Sequence, residues 1–91
     1  MKQLHLPAKV PSEGARLLAR RIMAAYKGNL PFAARCMKVQ PTTLQYLVDG
    51  TLAPGAELIR DIARATKDGI GRMDWRSAPA GGWFDADRAA G

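Results

Sequence analysis

The chain has few of the residues on which most catalytic and metal sites depend. It has one cysteine, Cys36, and one histidine, His5, so it can form no internal disulfide and offers too few ligands for a cysteine and histidine metal site. A catalytic base or nucleophile needs a partner that orients it, and no carboxylate pair marks a pocket. We therefore expect no enzyme activity, no cofactor, no metal and no small-molecule substrate.

Long apolar runs and strand signals are also scarce. No stretch approaches the roughly 18 to 20 apolar residues that cross a bilayer, and the N-terminus lacks the apolar core of a secretory signal. A basic amphipathic helix lying on a membrane is disfavoured, because the apolar helix faces are needed for the core. Aromatic residues are only 7% of the chain, whereas alanine and arginine, both good helix formers, are frequent. The 91 residues therefore predict one cytoplasmic all-α domain with no membrane partner.

Positive charge dominates the chain and is unevenly distributed. The net charge is +6 and the pI about 10.1. Residues 1–28 hold six basic residues and one acidic residue, so most of the excess lies in the N-terminal third. This balance favours a polyanionic partner.

Capping residues and prolines divide the chain into short helices. Ser12 and Asn29 are typical N-caps, and Pro31 and Pro41 suit the first turn of a helix. Gly50 suits a helix C-terminus. The expected helices cover residues 12–27, 29–38, 41–49 and 54–66, followed by a single turn at 73–75.

The helix over residues 41–49 has one apolar and one polar face. At 100 degrees per residue, Leu44, Leu47 and Val48 fall on one side and are expected to be buried. The opposite side carries short or planar hydrogen-bonding side chains, on a helix of a size that the major groove of DNA admits. These outward residues are Thr42, Gln45, Tyr46 and Asp49.

Residues 29–50 resemble the helix-turn-helix of phage Cro-type repressors and of YdaS-like regulators. A small residue lies midway along the first helix (Ala34), an apolar residue follows the turn (Val39), and apolar residues recur on the second helix (Leu44 and Leu47). The resemblance extends over residues 30–76. It departs from the family at Lys38, where the turn usually carries glycine and where a lysine adopts the required backbone only with strain.

The resemblance implies a Cro/lambda-repressor-like fold of four to five short helices and a sequence-specific DNA-binding regulator of phage or prophage type. Such a protein would be a nucleoid-associated repressor or Cro-like switch that binds double-stranded operator DNA, and we expect it to be a homodimer. The first-helix arginines could equally form a solvated face. Expected base contacts are Thr42, Thr43, Gln45 and Tyr46, and expected DNA backbone contacts are Gln40, Lys38, Arg35, Arg16, Arg20 and Lys27.

Both ends of the chain leave alternatives open. Residues 1–11 form an extended arm that either tracks DNA or is a disordered or partner-paired terminus. Residues 77–91 are rich in alanine, glycine and proline and are expected to be flexible. Trp83 and Phe84 in this tail either fold back on the domain or contact a second subunit, and we favour the dimer contact. The rival function is an antitoxin-like or anti-repressor module that binds a protein through the same fold.

Overall fold

The computed structural model describes residues 3–67 and 69–83. In chain order it has four α-helices, α1 (Glu13–Tyr26), α2 (Leu30–Met37), α3 (Pro41–Asp49) and α4 (Ala56–Ala65), and a 3₁₀ turn at Asp74–Arg76. Within these residues the backbone forms no strand, and the all-α prediction is confirmed. No helix in this part of the chain combines the length and the apolar character of a membrane span.

The helices begin at the predicted caps. The Ser12 hydroxyl accepts a hydrogen bond from the Ala15 N–H at 3.1 Å, and the Asn29 side chain accepts one from the Phe32 N–H at 3.2 Å. Each bond satisfies one of the N–H groups that the first helical turn leaves without a backbone partner. Pro41 is the first residue of α3, where its missing N–H costs no helical bond.

The first three helices end on residues in the left-handed backbone conformation. Lys27 follows α1 with φ 53°, Lys38 follows α2 with φ 59°, and Gly50 follows α3 with φ 83°. The Lys38 N–H donates to carbonyl groups in the last turn of α2, and the Val39 N–H donates to the Ala34 carbonyl at 3.0 Å. The turn between α2 and α3 therefore closes the end of α2 with a lysine in a conformation that suits glycine.

The apolar faces of the four helices meet in one core. Leu44 and Val48 of α3 are fully buried and Leu47 is 2% exposed, so the predicted orientation of this helix is confirmed. The small side chains of Ala33 and Ala34 on α2 are also buried, in the helix that contacts α1, α3 and α4. The core is completed by further buried residues from α1, α2, α4 and the segments outside the helices, among them Leu4, Leu18, Ile22, Leu30, Met37, Ile62 and Ile70.

The N-terminal segment is packed on the domain. The Leu4 side chain is 8% exposed, and its N–H donates to the Gly28 carbonyl at 2.9 Å. Gln3 forms an isolated antiparallel bridge with Asn29. The structure thus attaches this segment across the α1–α2 connection instead of leaving it as a free arm.

The first part of the predicted flexible tail is also attached to the domain, which corrects that expectation. The Ser77 carbonyl accepts a hydrogen bond from the Glu13 N–H at 3.0 Å, and the Ala80 N–H donates to the Glu13 carboxylate at 2.8 Å. The Trp83 indole N–H donates to the Pro7 carbonyl at 2.8 Å. Of the two placements left open for Trp83, the structure shows the fold-back, and the contact with a second subunit stays a prediction. Phe84 lies outside the described residues.

Candidate nucleic-acid interface

The loop between α2 and α3 brings several polar and basic side chains to one surface. Arg35, Lys38 and Gln40 are exposed and line a shallow cleft of about 330 Å³ together with the prolines that begin α2 and α3. Gln40 is the N-cap of α3, but its side chain makes no capping hydrogen bond. The N-terminus of α3 is therefore flanked by two cations, an arrangement that favours an anion such as a phosphate.

Three of the four predicted base-contacting residues line one cavity at the outward face of α3, and they differ in how far they are exposed to solvent. Thr42 is exposed and Tyr46 is 43% exposed, whereas Gln45 is half-buried. All three line a cavity of about 380 Å³ between α3 and the N-terminal segment. Thr43, the fourth, is half-buried and does not line this cavity.

The side-chain amide of Gln45 is bound to the backbone of His5. The His5 N–H donates to Gln45 Oε1 at 2.9 Å, and Gln45 Nε2 donates to the His5 carbonyl at 2.9 Å. A primary amide has a single edge on which an acceptor and a donor lie side by side. A bidentate contact with adenine would use that same edge. The predicted base contact of Gln45 therefore requires that this amide first release His5.

Asp49 also lines this cavity. Burial acts to raise the pKa of Asp49, but hydrogen bonds from the side chain and backbone of Thr51, a hydrogen bond from the Gln45 side chain and the charge of His5 together hold it below its ordinary value of 3.8. The Thr51 N–H donates to the Asp49 carboxylate at 2.9 Å. At neutral pH the C-terminal end of α3 thus carries a negative charge, and phosphate contacts are favoured at its N-terminal end.

Three of the expected DNA backbone contacts, Arg16, Arg20 and Lys27, belong to α1 or its C-terminal end and lie in different environments. Lys27 is exposed beyond the end of the helix. Arg20 is half-buried and lines a cavity of about 260 Å³ beside Met23 and Trp83. That cavity shares no lining residue with the one beside α3. Arg20 thus lines a different cavity from the outward residues of α3.

The prediction that Arg16 contacts DNA is wrong. Its side chain is fully buried, and the guanidinium donates to both carboxylate oxygens of Glu13, at 2.8 and 2.7 Å. The same carboxylate accepts the Ala80 N–H, so residues from the predicted tail help to cover this end of α1. A helical wheel of α1 alone could not show that Arg16 is buried, because residues that cover this end of the helix come from the other end of the chain.

His5 is a residue of this surface for which the sequence predicted no DNA contact. It is exposed and lines the cavity with Thr42, Gln45 and Tyr46. A signal was present in the segment, since Gln3 and His5 alternate with Leu4 and Leu6 in the period of an extended chain that packs one side against a core.

Cys36 is exposed, and among residues 3–67 and 69–83 no three His, Cys, Asp or Glu side chains lie together as a metal site would require. Comparison with protein-family models, with curated proteins and with solved structures finds no match for the chain.

Proposed function

We propose that the protein is a sequence-specific regulator that binds double-stranded DNA, acting as a phage-type or prophage-type repressor or Cro-like switch. One observation carries the proposal: α3 buries Leu44, Leu47 and Val48 and leaves Thr42 and Tyr46 exposed on a helix of nine residues. A polar helix face supported from behind by a core is the form in which proteins enter the major groove.

The charges around α3 support the same function. Arg35 and Lys38 flank the helix N-terminus, where the helix dipole also favours an anion. In the proposed complex they contact phosphates and fix the orientation of α3, and Thr42 and Tyr46 contact base edges. The net charge of +6 would draw the protein to DNA before the specific contacts form. The protein would act at the nucleoid, in the cytoplasm.

Selection of bound sites from random double-stranded DNA tests this proposal. We expect one motif to be enriched, and a homodimer would enrich two half-sites about 34 Å apart, one helical turn of DNA. Thr42→Ala should weaken or shift the preference at one base pair. Arg60→Ala is the matched control, because Arg60 is exposed on α4, away from the α3 surface, and should leave the motif unchanged. Failure to enrich any motif would contradict DNA recognition.

A protein partner is the second candidate function, and exposed apolar side chains favour it. Phe32 is 48% exposed, Leu52 38% and Met73 67%. Apolar surface of this kind suits a protein contact better than a phosphate backbone. If this antitoxin-like or anti-repressor function is correct, the selection would recover no motif and Phe32→Ser would abolish binding to the partner.

A further inference from the structure

The N-terminal segment is held in place against the recognition surface at consecutive residues. The Leu4 N–H is bound by the Gly28 carbonyl at 2.9 Å, and both backbone groups of His5 are bound by the Gln45 amide. The backbone of His5 is therefore fixed relative to α3 by a side chain of α3 itself. The contact joins residues 40 positions apart in the chain, so it is a tertiary contact and not a local turn.

The extended backbone then decides on which side His5 lies. Alternate residues of an extended chain point to opposite sides. Leu4 is buried in the core, whereas Gln3 and His5 are exposed and line the cavity with Thr42 and Tyr46. His5 is thus part of the same surface as the outward residues of α3.

The edge of the Gln45 amide that would pair with adenine is occupied by the His5 backbone. Direct base recognition by Gln45 would break both hydrogen bonds and detach His5 from α3, whereas recognition by His5 leaves them intact. An imidazole has a ring N–H that can donate to the N7 or O6 acceptors of guanine in the major groove. His5 already lies at the cavity beside α3 while both of its hydrogen bonds to Gln45 are intact.

We propose that His5 is a specificity-determining residue of the DNA interface and that Gln45 is the residue that positions it. This inference rests on the proposed function. It assigns to Gln45 a role different from the base contact that the sequence suggested, and it makes residues 3–5 a fixed extension of the α3 surface.

The experiment compares His5→Ala and Gln45→Met for binding to the selected site and to single-base variants of it. His5→Ala removes the imidazole but keeps the backbone groups that Gln45 binds. Gln45→Met keeps a side chain of similar length but removes the amide. We expect each variant to lose about tenfold or more in preference at the same base pair, and the double variant to lose no more than the single ones.

Amide hydrogen exchange gives a readout that does not depend on DNA. In Gln45→Met the His5 amide should exchange faster, whereas in His5→Ala the amide at position 5 should remain protected. Lys9→Ala is the control within the same segment, since Lys9 is exposed and does not line the cavity. It should change neither the base preference nor the exchange of His5.

Three results would overturn the inference, and they differ in what else they affect. If the unaltered protein selects a motif and His5→Ala retains the full preference while Gln45→Met loses it, Gln45 contacts the base directly and the proposed function stands. Unchanged His5 exchange in Gln45→Met would exclude the positioning role. If the unaltered protein selects no motif at all, the proposed function fails together with the inference.

Discussion

Replacing Lys38 by glycine should raise stability and weaken DNA binding at the same time. Lys38 has φ 59° and ψ 39°. This conformation costs a residue with a Cβ about 1 to 2 kcal/mol and costs glycine almost nothing. Glycine also gives the unfolded chain more conformations to lose on folding, and this entropy offsets about 0.4 to 1 kcal/mol of the stabilisation. The net stabilisation should be roughly 0.5 to 1 kcal/mol, or about 2 to 8 °C in Tm for a domain of this size.

Lys38→Ala is the matched control, because alanine removes the charge and the long side chain but keeps the Cβ. Thermal or urea denaturation should show Lys38→Gly to be more stable than Lys38→Ala by the amount above. Lys9→Gly adds a negative control, since Lys9 is not among the described residues with positive φ. Glycine there should give no stabilisation. Equal stability of the glycine and alanine variants at position 38 would refute the left-handed geometry of the turn.

The DNA arm of the same experiment tests the role of the lysine charge. Both Lys38→Gly and Lys38→Ala should flatten the plot of log affinity against log salt by about one unit, because one phosphate contact is lost. The preference for the cognate site over random DNA should not change, since a phosphate contact carries no base information. An unchanged salt slope would remove Lys38 from the DNA interface while leaving the stability argument intact.

Further substitutions test the buried core, the packing of Trp75 against α1 and the carboxylate at the C-terminal end of α3. Leu44→Ala should cost about 2 to 5 kcal/mol in urea denaturation because the side chain is fully buried, and a small loss would contradict the orientation of α3. Gly14→Ala should destabilise the folded protein, because the new Cβ would lie 2.4 Å from Trp75 Cδ2. In a Trp75→Ala background the same substitution should stabilise the protein by roughly 1 kcal/mol, since alanine is the better helix former. Destabilisation in both backgrounds would exclude this clash as the cause. The pKa of Asp49 lies below 3.8 in the folded protein, so its carboxylate stabilises the fold above that pH and the contribution is lost as the pH falls through the folded pKa. As the pH falls below about 4, the free energy of unfolding should therefore decrease less in the Asp49→Asn variant than in the unaltered protein. Identical dependence of the two free energies on pH would show that the Asp49 carboxylate contributes nothing to stability.

Local signals in the sequence specify the helices and the orientation of their faces. The signals lie within a few residues of their effects: Ser12 and Asn29 bind N–H groups three residues ahead, and Pro41 excludes the preceding residue from a helix. The spacing of apolar residues likewise indicates which side of α3 is buried, because a helix has a fixed period. These features depend on local geometry that the order of residues specifies directly.

What covers each helix depends instead on contacts between distant parts of the chain. Residue 80 binds Glu13 of α1 beside the buried Arg16, and His5 binds Gln45 of α3. The bond from Trp83 to Pro7, which spans 76 positions, joins the two terminal segments to each other. Such contacts depend on the placement of all four helices, and no periodicity within a single segment encodes them. The difference matters for function, because the same pairing that occupies Gln45 brings His5 to the surface of α3.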